Sequence, residues 1–152
     1  MIMEKAWAKL HGSYDATEGG NTADTLNYLC GGMRKGIPFS GEHKAGMFDI
    51  LRAQLRDGHE TPGRQQFFSC SPSVNNQEQY DRLQSVGLVY RHAYAILDAL
   101  VLPNGVKLLQ LRNPLGNKDF KGDWSDSDPR WTPELRAATR RPGGGQQDDG
   151  SF

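Results

Sequence analysis

Apolar residues recur at helical spacing from the first turn of the chain. Ile2, Ala6, Trp7 and Leu10 stand among charged neighbours and predict a short amphipathic helix that His11-Gly12 ends. A polar loop, Ser13 to Asn21, leads to a second predicted helix. Asn21 or Thr22 caps it, Leu26, Leu29 and Cys30 line its inner face, and Gly31-Gly32 stops it. Met33 to Phe39 reads as a short extended piece. A third helix is predicted over Lys44 to Arg56, where Phe48, Leu51 and Leu55 make a buried stripe and Asp57-Gly58 closes it. The period then changes from helical to extended. Gln66 to Cys70 reads as a strand and Ser71 to Tyr80 as a polar connection. Val89 to Leu111 reads as one antiparallel hairpin, with His92 to Leu100 and Val106 to Leu111 on either side of a Pro103-Asn104-Gly105 turn. Helices first and antiparallel strands after them predict an α+β fold.

Composition narrows the choice of function. With 36% apolar residues, 18 glycines and 8 prolines in 152 residues, the core is modest and turns are many. Lysine plus arginine and aspartate plus glutamate each number 18, so no net field draws the chain to nucleic acid or an anionic membrane. No apolar run is long enough to cross a bilayer, and the first ten residues lack the pattern of a signal peptide. Cys30 and Cys70 make neither a disulfide framework nor a CxxC metal site, which points to reduced thiols and a cytoplasmic setting. Residues 1–140 read as one domain, with Trp124 and Trp131 as isolated anchors, and residues 141–152 (RPGGGQQDDGSF) as a flexible low-complexity tail. His11, His43 and His59 share no metal-ligand spacing and read as surface residues. Glu18 with Gly19-Gly20 reads as a turn or a surface loop, and Arg136, Arg140 and Arg141 as a solvated face.

The hairpin carries the candidate chemistry. His92 stands near the start of its first strand and Asn113 near the end of its second, so folding at Pro103 to Gly105 brings them within a residue or two of facing each other. An imidazole held by a side-chain amide is what a thiol protease uses: the ring takes the thiol proton, and the amide oxygen fixes its tautomer. On spacing alone, such a pair is more often an ordinary hydrogen-bonded one than a catalytic one.

Motif context sharpens the choice. His92-Ala93-Tyr94-Ala95-Ile96, Leu109 to Gly116 (LQLRNPLG) and Gly122 to Asp126 (GDWSD) closely resemble the HAYSV, LRNPWG and G-x-W-S-D segments of calpains. Glu4 to Tyr14 (EKAWAKLHGSY) resembles the calpain run EKAYAKLxGSY, and Gly19-Gly20-Asn21-Thr22 and Gly31-Gly32 fall at that family's diglycine pairs. The resemblance implies the second subdomain of a papain-like protease core, with helices packed on an antiparallel, barrel-like sheet. It makes His92 the general base and Asn113 its orienter, and implies that the nucleophile comes from a Cys-bearing subdomain of the same protease, acting on a protein or peptide substrate. Neither Cys30 nor Cys70 has the Gly-x-Cys-Trp setting of that nucleophile. The family's last strands are expected beyond Phe152, so the chain reads as cut.

The resemblance also implies a partial calcium site at Asp119 and Asp126, six and thirteen residues past Asn113; two solvated loop carboxylates are the alternative. Two residues depart from the family pattern. Leu115 replaces the tryptophan that covers the histidine–asparagine pair, and Arg91 replaces the glycine before the histidine. Three functions follow: half of a calcium-dependent intracellular endopeptidase, a non-catalytic pseudoprotease or interaction module, and a calcium sensor.

Overall fold

The computed structural model describes residues 2–33, 35–37, 46–61, 63, 66–116, 120–139 and 150–152. Helix α1 spans Ile2–His11 and α2 spans Thr22–Cys30. The Asn21 side chain caps α2 by accepting from the Ala23 N–H, and Gly31 ends it in the left-handed conformation at φ 67°. Trp7, His11 and Tyr28 meet between these two helices, with Trp7 centred 4.3 Å from His11 and 5.7 Å from Tyr28. Both helices belong to one unit of the chain, Met1–Pro38, and everything that follows belongs to a second, Phe39–Phe152.

The second unit is built on an antiparallel sheet of order β1-β2-β3, with β1 at Phe68–Cys70, β2 at Tyr94–Val101 and β3 at Lys107–Arg112. Helix α3, Met47–Glu60, lies against β2. Leu55, Ile96 and Ala99 form the buried centre, with Phe48, Leu51, Phe68 and Leu111 packed around them. Burying each large side chain here contributes about 1.5–3 kcal/mol. The amphipathic stripe read from the sequence is therefore the face that α3 uses. The fold is α+β, and within the second unit α3 supplies a helix layer over the sheet.

A bulge at Leu97 sets the phase of β2. The register pairs Ile96 with Leu111 but Asp98 with Gln110, so Leu97 is an extra residue. Before it the buried positions are Tyr94 and Ile96, and after it Ala99. The inward parity flips, and the strand stays on the core despite an irregular pattern. At the hairpin tip the Gly105 N–H donates to Leu102 O and the Leu102 N–H to Val106 O. Gly105 has φ 83°, so the predicted Pro103-Asn104-Gly105 turn is a three-residue loop with glycine at its left-handed position.

Several boundaries differ from expectation. Helix α3 runs through Asp57-Gly58 and stops at Thr61, whose extended backbone (φ −117°, ψ 107°) is what the following Pro62 demands. The expected polar connection Ser71 to Tyr80 contains the start of α4, Gln77–Ser85. A short α5, Pro133–Ala138, follows the Thr132 cap. Met33 and residues 35–37 have no regular structure, and the rest of the expected extended piece, Arg34, Pro38 and Phe39, lies outside the described residues. The end of the expected flexible tail is ordered: Ser151 bridges Arg112, and Phe152 exchanges two 2.8 Å backbone hydrogen bonds with Leu111. Residues 140–149 lie outside the described residues.

Candidate active site

The chain enters the site from α4. Gly87 and Leu88 close its C-terminus through hydrogen bonds to Gln84 O and Leu83 O. Tyr90 and Arg91 then form a turn in which Arg91 adopts φ 54°, a left-handed conformation that costs a residue with a Cβ about 1–2 kcal/mol. Its guanidinium lies 5.3 Å from the centre of the Tyr90 ring, and the Tyr90 ring meets Tyr80 edge-on. Tyr94, at 2% exposure, fixes this approach: its hydroxyl accepts from the Val89 N–H at 2.9 Å, and its ring stands 4.9 Å from that of His92.

The strand register brings Asn113 to the same place. Ala95 pairs with Arg112, so one step further Asn113 comes opposite Tyr94, whose ring already touches His92. His92 Nε2 lies 2.8 Å from Asn113 Oδ1, and the Leu115 N–H donates to the same oxygen at 3.1 Å. A backbone N–H can only donate, so the atom it meets is the amide oxygen and the facing ring nitrogen must donate too. The neutral His92 ring therefore carries its hydrogen on Nε2 and presents the Nδ1 lone pair. A ring held this way can accept a proton at Nδ1 without leaving the amide.

Asn113 is held on every side. Its residue exposure is 1%, its N–H donates to Gly150 O at 2.7 Å, and its carbonyl accepts from the Gly116 N–H at 3.1 Å. Among the described residues its Nδ2 is buried without a partner. Leaving such a donor unsatisfied costs about 1–3 kcal/mol, which marks Asn113 as a residue placed for its oxygen rather than for packing. Gly150 must be glycine: at φ 74° a Cβ there would stand 2.6 Å from Asn113 O. Phe152 stacks on Phe120, centroids 5.0 Å apart, and meets the Tyr94 ring edge-on at 5.8 Å. Tyr94, Gly150 and Phe152 thus buttress the pair, and sequence reading missed all three. Tyr94 had a signal in its strand position before the bulge; Gly150 had none.

The expected tryptophan anchors are not isolated. Trp124 and Trp131 pack edge-to-face at 5.1 Å, and the Trp131 indole N–H donates to Ser125 O at 2.9 Å. Arg130 lies over Trp124 and reaches Asp123 at 2.7 Å, while Asp128 accepts from the Trp124 N–H and from Arg130. The Arg130 guanidinium, with the backbone bonds that Asp128 accepts, holds the Asp128 carboxyl far below the usual aspartate range. Asp126 sits in this loop, half-buried, with its carbonyl accepting from Arg136 at 2.8 Å. Asp119 lies outside the described residues. Among the described residues no three His, Cys, Asp or Glu side chains cluster to hold a metal. Calcium takes six to eight oxygens, and of the two expected carboxylates the described residues include Asp126 alone.

The cysteines fall apart from the pair in character. Cys30 is exposed at the end of α2, in the first unit. Cys70 lies on β1, where burial pushes its thiol up from the ordinary value, the direction opposite to nucleophile activation. His11 is exposed, as expected; His43 lies outside the described residues. Among the described residues no helix is long and apolar enough to cross a membrane.

Comparison with known proteins agrees with the motif reading. The family model described as calpain family cysteine protease matches residues 1–152. Calpain-9 of Mus musculus is 32% identical over 154 residues, covering 99% of this chain and 21% of its own length. A calpain-type cysteine protease of Zea mays is 36% identical over 136 residues, 89% of this chain and 6% of its own. Calpain-A of Drosophila melanogaster is 34% identical over 142 residues, 86% of this chain and 16% of its own. The chain spans about a fifth of the mouse relative and less of the other two. With the family model matched along its whole length, the chain belongs to the calpain family of cysteine proteases.

Proposed function

We propose that this chain supplies His92 as general base and acid, and Asn113 as the amide that orients it, to a calpain-type endopeptidase acting on protein or peptide substrates. The 2.8 Å contact from His92 Nε2 to Asn113 Oδ1 carries this reading. Nδ1 takes the proton of an attacking thiol, and the Asn113 oxygen steadies the imidazolium that forms. The proton then goes to the leaving amine as the acyl-enzyme is made. Water next attacks the acyl group with His92 again accepting the proton; the thioester C–S bond breaks, the acid leaves, and the proton returns to the departing thiolate.

Neither cysteine of this chain suits the nucleophile's role. Cys70 is disfavoured as a thiolate by its burial, and Cys30 ends a helix rather than beginning one. The partner required is a Cys-bearing subdomain of the same protease, without which the chain is inactive. A cytoplasmic setting that keeps thiols reduced suits this chemistry. Calcium held partly by Asp119 and Asp126 is a second element of the proposal, supported by their place in the motif resemblance. The described residues contribute Asp126 alone, so no catalytic step runs through the ion.

A non-catalytic interaction module is the rival reading, favoured by Leu115, which is 58% exposed and stands where the resembled family has a covering tryptophan. The two readings separate on thiol reactivity in a protein that joins this chain to its Cys-bearing half. The protease reading expects iodoacetamide to alkylate one cysteine quickly even at acid pH, through a thiolate–imidazolium pair, and His92→Ala to abolish that acid limb. Profiles that coincide with and without His92 would leave the module.

A further inference from the structure

Arg91 stands directly before His92 and differs from Arg130 and Arg136 in its partners. Arg130 is bound to Asp123 and Asp128, and Arg136 donates to the Asp126 carbonyl. Among the described residues Arg91 has no carboxylate partner; its one recorded contact is the Tyr90 ring, 5.3 Å from the guanidinium carbon. It is exposed, and its φ of 54° is a conformation that side chains other than glycine rarely adopt. Strain of this kind persists where the surroundings hold it, and it concentrates at functional sites. The surroundings are visible here. Val89 is tied to the Tyr94 hydroxyl at 2.9 Å, His92 to Asn113 at 2.8 Å, and Tyr90 is braced edge-on by Tyr80 at 6.0 Å. Among the described residues Arg91 is thus an unneutralised cation, laid on an aromatic ring and pinned between two fixed neighbours.

We infer that Arg91 is a specificity-determining residue that selects substrates with an acidic side chain close to the scissile bond. This rests on the proposed protease reading, in which His92 must come within proton-transfer distance of the thiol and leaving amine. An arginine one residue from that base reaches about two extended residues of substrate to either side. A lone guanidinium offers a carboxylate two parallel N–H donors, and no internal acid has to be displaced first. The Tyr90 ring holds the side chain ready without cancelling its charge. Basic residues at the same substrate positions meet like charge and are disfavoured.

The test is a mixed-sequence peptide library digested by the complete enzyme, with the cleavage sites read by mass spectrometry. The inference expects Asp and Glu to be enriched about threefold to fivefold within two residues of the cut, as befits a partly exposed ion pair. The enrichment should fade as salt is raised. Arg91→Gly should abolish it, and Arg91→Glu should turn it into a preference for Lys and Arg. Cleavage with no acidic enrichment, or with enrichment that survives Arg91→Gly, overturns this inference and leaves the protease reading intact. A library left uncut by the parent enzyme overturns both.

Discussion

Replacing Gly150 with alanine tests whether the end of the chain holds Asn113 in place. The new Cβ would sit 2.6 Å from Asn113 O and 3.1 Å from the Gly116 Cα, both backbone atoms that cannot swing aside. The φ of 74° adds left-handed strain of about 1–2 kcal/mol. Retreat of the segment also breaks the 2.7 Å hydrogen bond from the Asn113 N–H to Gly150 O, a loss of about 1 kcal/mol. Together these destabilise the docked segment by about 2–3 kcal/mol, or roughly 30- to 150-fold in its open fraction. Amide hydrogen exchange read by NMR is the assay, since the Leu111 and Asn113 N–H groups donate to this segment. Their exchange should quicken by that factor, while the Leu102 N–H, which donates to Val106 at the far end of the hairpin, should not change. Leu111 and Asn113 exchanging within threefold of the parent would refute the buttress.

Three other outcomes follow from the same structure. Asn113→Ala removes the acceptor shared by His92 and the Leu115 N–H, so stability should fall by about 2–4 kcal/mol in urea, and the neutral His92 ring should lose its Nε2–H preference in long-range nitrogen–proton spectra; a ring that keeps that tautomer would contradict the assignment. The Asp128 carboxyl is held below its ordinary value of 3.8, so its contribution to stability is full above that pH and is lost as pH falls below it. Fluorescence of the Trp124–Trp131 pair should follow this acid loss, and Asp128→Asn should flatten it. Calorimetry should give weak saturable heat with calcium, at about millimolar, and Asp126→Ala should remove it. Heat that survives the variant places calcium elsewhere, and no heat at all removes the ion from the proposal.

The sequence conveyed what local pattern encodes and little of what distant pairing adds. The α3 stripe and the hairpin turn were readable because Phe48, Leu51 and Leu55, and Pro103 to Gly105, each act within a few residues. The meeting of His92 and Asn113 was readable for the same reason, since a short turn fixes which hairpin ends come together. Helix α4 was missed because Gln77 to Ser85 has only Tyr80 and Leu83 as large apolar residues. Its signal was a cap: Asn76 accepts from the Gln79 N–H while the Gln79 side chain accepts from the Asn75 N–H. Thr132-Pro133-Glu134 announced α5 in similar terms. The docking of Gly150 to Phe152 had no local signal. It depends on β3, almost forty residues earlier, and a glycine-rich, polar stretch hides the one phenylalanine that anchors it. Asp119 and Asp126 came from the motif resemblance alone, and no spacing rule brought them to one place.

The central claim is that His92, held by Asn113, performs the proton transfers of peptide hydrolysis. The most direct measurement compares kcat/KM for an extended peptide between the complete enzyme and its His92→Ala variant, both shown folded by their spectra. The account predicts a fall of about a hundred- to ten-thousand-fold, carried in kcat. Turnover within threefold of the parent would contradict it.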